Sequence, residues 1–153
     1  MTYGFMLTVT RGLLTGDNLL PEDNDTLLSL SNYALTTVAT KAESLHLMTL
    51  STDADILRLA HGDYLIRRPD APEDYIDELD IDEELGFAVS RFLASYVSRD
   101  KGGIHVQAAT RIITDFNGKV SGILEQMDLE ASFEDLPTQG CTLTAQPSSE
   151  FSL

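Results

Sequence analysis

Between Asp82 and Arg99 the chain reads D-E-E-L-G-F-A-V-S-R-F-L-A-S-Y-V-S-R, the segment with its clearest helical pattern. Apolar residues recur there at three- and four-residue spacing, which places them on one face of an α-helix. They are Leu85, Ala88, Val89, Phe92, Leu93, Tyr96 and Val97. Asp80 or Asp82 is expected to cap this helix, and Asp80 with Glu83 has the spacing of a capping box. We therefore predict a helix over residues 82–99 with a broad buried face.

A second helix is predicted over residues 104–127, after a short break at Asp100-Lys-Gly-Gly103. Its apolar face comprises Ala109, Ile112, Ile113, Phe116, Val120, Ile123, Leu124 and Met127. A glycine costs about 1 kcal/mol relative to alanine in a helix interior, so this helix is expected to kink or split at Asn117-Gly118. Two amphipathic helices joined by a few residues pack antiparallel as a helical hairpin. Such a hairpin is the predicted centre of the fold.

One further helix is predicted from Asn24 or Asp25, either of which can cap it, to Ala42. Its apolar residues at helical spacing are Leu27, Leu30, Ala34, Val38 and Ala42. Residues 45–68 change to short apolar runs between polar turns, which indicates a small β element. Within it, residues 45–50 and 64–67 are predicted strands, and residues 56–59 a strand or one helical turn. Residues 5–9 are a further candidate strand, so the expected fold is mainly α with a small β element.

Residues 128–153 lose helical periodicity and contain Pro137, Gly140 and Pro147. We interpret them as an extended C-terminal tail that follows a single helical domain of residues 1–127. The apolar residues of the tail are too widely spaced for a core of their own, so it is either disordered or laid along another subunit. Its candidates for an interface are Phe133, Leu136, Leu143 and Phe151.

The chain of 153 residues carries 25 acidic and 10 basic side chains, a formal net charge of −15. Residues 70–84 hold nine acids and no base, and residues 128–153 hold five acids and no base, which leaves the remainder nearly neutral. Because nucleic-acid binding depends on lysine and arginine displacing counterions, a direct grip on DNA or RNA is not expected. An anionic surface past which DNA moves without adhering, or a DNA mimic, is compatible with this charge.

Length and composition are those of a globular protein able to bury its own core. No stretch approaches the roughly 20 apolar residues that a membrane helix needs, and the first ten residues lack the pattern of a signal peptide. The single Cys141 excludes an intramolecular disulfide. We expect a soluble protein without membrane contact.

The sequence shows no arrangement typical of a catalytic or metal site. His46, His61 and His105 lie in separate segments without metal-ligand spacing, and Cys141 has no predicted base beside it. Neither a Walker A loop nor a G-x-S-x-G or G-x-G-x-x-G motif occurs. The acids of residues 70–84 suit a cation but do not match a calcium-binding loop, and helix capping and solvation account for them better. We therefore predict no enzyme activity, no cofactor and no metal.

Arg67 and Arg68 immediately precede Pro69 and the acid-rich segment. Their guanidinium groups either pair with that segment inside the subunit or pair with acids of a neighbouring copy, in the fork geometry that suits carboxylates. Together with these arginines, the acids considered as interface candidates are Asp77, Glu78 and Asp80.

The segments Y-L-I-R-R-P-D-A-P (64–72) and D-E-L-D-I-D-E-E-L-G-F-A-V-S-R-F-L-A-S-Y (77–96) resemble small head-to-tail connector, or adaptor, proteins of tailed bacteriophages. In those proteins an Arg-x-Pro loop and a short acidic segment lead into an apolar helix that packs against a second long helix. The likeness covers residues 25–127 in pattern, and the N-terminal region and the 45–68 insert are longer than in that family.

The resemblance implies a virion structural protein of the neck, made in the host cytoplasm, that forms a ring, commonly dodecameric, beneath the portal protein. The ring would bridge portal and tail proteins and extend the channel, whose negative lining lets genome DNA pass without specific binding. A C-terminal arm would dock on the portal or a neighbouring subunit. The alternative is an acidic regulatory or inhibitor protein that mimics DNA or binds a basic partner.

Overall fold

The computed structural model describes residues 1–46, 57–60, 63–66 and 68–134. By its packing the chain divides into two compact units, residues 1–120 and residues 121–153. Within the described ranges, no helix is both long and apolar enough to cross a bilayer.

Four helices and one short hairpin are the elements of the described chain, so the prediction of a mainly helical fold is confirmed. The helices are α1 (Tyr3–Leu13), α2 (Asn24–Lys41), α3 (Glu83–Val97) and α4 (Gly102–Glu134). The strands are β1 (Leu57–Ala60) and β2 (Asp63–Ile66).

Helix α3 forms the centre of the unit of residues 1–120, because both α1 and α2 pack closely against it. Its predicted face is buried from Leu85 to Leu93, while Tyr96 and Val97 are half-buried. Gly86, Ser90 and Ala94 are buried as well, which widens the buried surface beyond one stripe. The wider burial follows from the two helices that flank α3, since each covers a different face.

Helix α4 runs antiparallel to α3, as the predicted hairpin requires. The start of α3 meets the later part of α4 through the ion pair of Glu84 with Lys119, at 2.9 Å. Further along α3, Arg91 lies 3.1 Å from His105 in the first turns of α4. Ala109, Ile113, Phe116 and Val120 form the buried face of α4.

The predicted break at Asn117-Gly118 is absent, because α4 continues through both residues. The Asn117 amide donates from Nδ2 to the Lys41 carbonyl oxygen at 3.1 Å, and its Oδ1 accepts from the Glu43 N–H at 2.8 Å. Asn117 thus binds backbone groups at the end of α2, and Gly118 is exposed with open space around it.

The C-terminal tail was predicted to begin at residue 128, but helical backbone continues to Glu134. The seven residues 128–134 are therefore helical, and residues 135–153 lie outside the described residues. A run of residues with good helix propensity, including Leu129, Glu130 and Ala131, accounts for the extension although the apolar spacing is lost.

The predicted strand at residues 5–9 is wrong, because those residues belong to α1. Thr2 caps α1 by accepting the Phe5 N–H, at 3.2 Å. Tyr3 and Gly4 donate their N–H groups to the carbonyl oxygens of Asp77 and Tyr75, each at 2.8 Å. These bonds satisfy donors of the first helical turn that have no partner inside the helix. Tyr3, Met6, Leu7 and Thr10 form the buried face of α1.

Helix α2 matches its predicted bounds, although its cap is Asp23 and not Asn24 or Asp25. The Asp23 carboxylate accepts the Thr26 hydroxyl at 2.7 Å and the Thr26 N–H at 2.9 Å, and these two bonds lower the pKa of Asp23. Between α2 and α3, the antiparallel hairpin pairs Leu57 with Ile66 and Ala60 with Asp63. Leu45 and His46 are helical, so the predicted strand 45–50 does not begin there, and its residues 47–50 lie outside the described residues.

Candidate functional site

The acidic segment, residues 70–84, binds its own backbone through its aspartates. Asp77 Oδ2 accepts the N–H groups of Glu73 and Asp74 at 2.8 and 2.9 Å. These two bonds stabilise the charged form and lower the pKa of the Asp77 carboxyl. Asp80 Oδ2 accepts the Asp70 N–H at 2.8 Å. Asp77 and Asp80, predicted as interface candidates, therefore shape the loop that leads into α3.

Asp82 occupies the N-cap position of α3 but makes no side-chain capping bond. Its carboxylate accepts the Ser44 hydroxyl at 2.5 Å and the His46 N–H at 2.6 Å. Instead of making the predicted capping bond, the Asp82 carboxylate thus binds the turn that follows α2. Ser44 in that turn is completely buried.

Glu78 lies where the acidic segment meets the N-terminal residues. Its backbone forms a bridge with Thr2, and its carboxylate lies 3.1 Å from the Met1 amino group. Further along, the bond to Glu84 raises the pKa of the Lys119 ammonium. The acids of this segment thus contribute bonds within the subunit, in addition to surface charge.

Metal ligands do not gather anywhere in the described part of the chain: no three His, Cys, Asp or Glu side chains are arranged to hold an ion. His46 Nε2 lies 4.0 Å from Asp80 Oδ1. His61 and Cys141 lie outside the described residues.

His105 is buried, at 6% exposure, whereas His46, the other histidine in the described part of the chain, is half-buried. Its Nδ1 faces the Arg91 guanidinium. Burial, followed by the charges of Arg91 and Lys101, lowers the pKa of His105. The neutral imidazole accepts a hydrogen bond from Arg91, which is a structural role between α3 and α4.

An open groove of about 560 Å³ lies beside the end of α1 and the loop that leads to α2. Its lining is mixed: the charged Arg11 and Glu22 and the polar Asn18 and Asn24 lie beside a set of apolar residues, which comprises Leu14, Leu19, Leu20, Pro21, Leu27 and Tyr75. Leu19 is 76% exposed and Tyr75 50% exposed, and the neighbouring Ile76 is 79% exposed. We call this surface the apolar groove; a protein partner would remove its side chains from water.

A second exposed apolar position is Phe87 on α3, at 42% exposure. Three residues further on, Ser90 donates to the Met6 carbonyl oxygen of α1, and four residues further on, Arg91 contacts His105 of α4. Residues three and four apart share a helix face, so Phe87 lies on the same side of α3 as Ser90 and Arg91.

The outward face of α2 and Arg68 line a polar cavity of about 450 Å³, which we call the α2 groove. Its lining residues are Ser29, Asn32, Tyr33, Thr36, Thr37, Thr40, Lys41 and Arg68. Of these, only Arg68 is predicted from the sequence as an interface candidate. For the others except Lys41, the signal is the run of residues 26–40, which contains no charged side chain in a chain that is 23% charged.

The remaining candidate residues are placed only in part. Phe133 belongs to the helical backbone of α4, while Arg67, Leu136, Leu143 and Phe151 lie outside the described residues. Pairing of the arginines with acids, inside the subunit or between copies, stays a prediction.

Comparison with known proteins finds no matching family model, no matching curated protein and no matching solved structure.

Proposed function

We propose that this protein is a structural subunit of a bacteriophage neck, a head-to-tail adaptor that assembles with copies of itself and with neighbouring virion proteins. The observation that carries the proposal is the apolar groove, where leucine, proline and tyrosine side chains line an open surface. Exposed apolar patches of this kind mark surfaces at which proteins associate. The resemblance of residues 64–72 and 77–96 to adaptor proteins supports this class of assembly.

The charge distribution supports the same proposal. A ring repeats each subunit's acidic surface around its axis, and a negative lining does not bind the phosphate backbone of passing DNA. Glu73 and Asp74 are exposed in the acidic segment.

The internal bonds of three aspartates distinguish that part of the acidic segment from the surface of a DNA mimic. A mimic has to present carboxylates at the surface for a basic partner, whereas Asp77, Asp80 and Asp82 accept bonds from backbone groups of the same subunit. The bonds of these three aspartates to backbone groups account for their positions.

Native mass spectrometry and light scattering of the full chain, alone and mixed with the portal protein, test the proposal. We expect a closed ring or a complex with the portal protein. Leu19→Asp should weaken assembly at least about tenfold, because it places a charge in the apolar groove. Thr110→Asp is the matched control, since it adds the same charge at an exposed position on α4.

A chain that stays monomeric under both conditions would contradict the proposal. If that monomer also competed with DNA for a basic protein, the mimic would replace the adaptor as the better explanation.

A further inference from the structure

A smaller pocket of about 190 Å³ adjoins the apolar groove, and Asn24, Leu27 and Tyr75 line both. The rings of Tyr3 and Tyr75 stack at this pocket, with their centroids 5.9 Å apart and their planes within 7° of parallel. We call it the tyrosine pocket. Because the two cavities share residues, one ligand can occupy both.

Contacts with α1 and α2 fix the tyrosine pair. The Tyr75 carbonyl oxygen accepts the Gly4 N–H at 2.8 Å, and the Tyr3 hydroxyl donates to Ser31 Oγ at 3.2 Å. A Cβ on residue 4 would lie 3.0 Å from the Tyr75 carbonyl oxygen, so glycine there permits this close approach. Tyr75 is nevertheless 50% exposed. Its ring is therefore held in place before a ligand arrives, which reduces the entropic cost of binding.

The two cavities differ in charge. Arg11 and Glu22 line the apolar groove, so its formal charge is balanced. The tyrosine pocket is lined by three exposed acids, Asp25, Glu73 and Asp74, and by no base among the residues that the structure describes. The Asp74 carboxylate accepts the N–H of the next residue at 2.6 Å, whereas the side chains of Asp25 and Glu73 form no hydrogen bond or ion pair within the described ranges. The pocket thus offers two unpaired carboxylates to a positively charged group.

We propose that the apolar groove and the tyrosine pocket together bind a segment of a partner protein in which an arginine adjoins a short apolar run. The proposal rests on the proposed role of the apolar groove as an assembly surface and names the chemistry of what binds there. Apolar side chains of the segment would cover Leu19, and the guanidinium would stack on Tyr75 and pair with Asp25 and Glu73. A guanidinium is planar, stacks on aromatic rings and binds carboxylates through a fork of N–H donors, so arginine suits this pocket better than lysine.

Charge distinguishes this partner from other occupants of the groove. Residues 128–153 hold five acids and no base, so the C-terminal segment of the same or a neighbouring subunit carries no cation for the pocket. A second copy that presented the same surface in a symmetric contact would bring acids against acids. A basic, apolar segment of a different protein instead pairs opposite charges.

Fluorescence anisotropy of the full chain with a labelled, end-blocked peptide, Arg-Gly-Leu-Val-Leu-Gly-Arg, tests the proposal. An arginine at each end lets the peptide bind in either direction. The matched control peptide replaces both arginines with citrulline, which keeps the shape of the side chain and removes its charge. We expect the arginine peptide to bind at least about tenfold more tightly than the citrulline peptide, and this preference should shrink as salt concentration rises.

Two double variants locate the arginine. Asp25→Asn with Glu73→Gln should reduce the preference for the arginine peptide to about twofold or less, because both unpaired carboxylates are lost. Asp115→Asn with Glu125→Gln makes the same change in net charge at exposed positions on α4 and should keep the preference. The affinity for the citrulline peptide should stay the same in both, which would show that the apolar groove is intact.

Single variants test the ring and the groove separately. Tyr75→Leu should weaken binding of the arginine peptide about three- to tenfold, because it removes the aromatic face and keeps an apolar side chain. Tyr75→Phe keeps the ring and should hold the affinity within about twofold. Leu19→Asp should weaken binding of both peptides, since it places a charge among the apolar contacts.

Three results would overturn the inference: no binding of the arginine peptide, equal affinities for the two peptides, or equal loss of the preference in both double variants. Self-association that Asp25→Asn with Glu73→Gln abolishes, without peptide binding, would assign the surface to a second copy instead. Ring or portal assembly without a preference for arginine would leave the proposed function intact. Arginine-selective binding by a chain that stays monomeric with the portal protein would leave this inference intact.

Discussion

At the scale of single residues, several polar side chains of the described chain bond to backbone groups of segments that are distant in sequence. Asp82 binds the turn after α2, and Asn117 binds the end of the same helix. Removing such a bond costs more free energy than the bond's net contribution to stability when a buried group is left unpaired. The loops around α3 are therefore held by a few identifiable side chains.

Phe92 is the residue whose truncation should reveal the packing of α3. It is 6% exposed, so Phe92→Ala should lower the free energy of unfolding by about 3–5 kcal/mol through lost burial and a residual cavity. Phe87→Ala, on the same helix at 42% exposure, is the control and should cost less than about 1.5 kcal/mol. Urea denaturation measures both, and a cost below about 1 kcal/mol for Phe92→Ala would show that the face is not tightly packed.

His105 should make stability depend on pH. Its pKa is lowered in the folded state by burial and by the charges of Arg91 and Lys101, so the unfolded chain binds the proton more readily. The contribution of His105 is complete above the unfolded pKa of about 6.5 and is lost as pH falls toward the folded pKa.

Urea unfolding at a series of pH values between about 5 and 8 measures this dependence. His105→Gln should reduce the loss of stability on acidification, because it removes the titrating imidazole between α3 and α4. An identical pH profile for His105→Gln and the natural chain would contradict the assignment.

At the scale of elements, the junction of α2 with α4 gives opposite expectations for two adjacent residues. Asn117→Ala should cost about 1–2 kcal/mol, because the Lys41 carbonyl and the Glu43 N–H lose their partner. Gly118→Ala should stabilise by up to about 1 kcal/mol, since the site is exposed, helical and open to a methyl group.

Thermal and urea unfolding of both variants provide the measurement. Destabilisation by Gly118→Ala would indicate that the helix bends there, as the sequence alone suggested.

The elements that were predicted well are those whose pattern is local. Leu85, Val89 and Phe92 repeat with the helical period over several turns, so α3 was found from the sequence. Residues 5–9 contain strand-forming side chains, and what makes them helical is the cap at Thr2 and contacts with residues 75–77, about 70 positions away. No pattern within a short window reports such contacts.

For the candidate surfaces too, the sequence reveals local patterns but not contacts between distant segments. Arg68 was noticed because it adjoins Pro69 and a run of acids, and the uncharged run 26–40 is visible in the sequence. That Lys41, Asn32 and Arg68 line one cavity depends on how α2 and the segment after the hairpin are placed, which only tertiary structure determines.

At the scale of the whole molecule, the packing separates residues 1–120 from residues 121–153, and we predict that the unit of residues 1–120 keeps its fold when the last residues of the chain are deleted. Deleting residues 135–153 should keep the helical circular dichroism and shift the melting temperature by less than about 2 °C, corresponding to under about 1 kcal/mol. The same deletion should abolish assembly if the proposed adaptor function is right. A large loss of helicity would instead show that these residues belong to the core.

The bonds from Tyr3 and Gly4 to the carbonyl oxygens of residues 75–77 have a consequence for synthesis on the ribosome. Helix α1 leaves the exit tunnel early, while the residues that complete its first turn emerge some 70 codons later. During that interval the apolar face of α1, which includes Met6 and Leu7, lacks α3, the helix against which α1 packs closely. Pairing over such a long loop slows folding, so docking of α1 is expected to be a late step, after α2 and α3 have emerged.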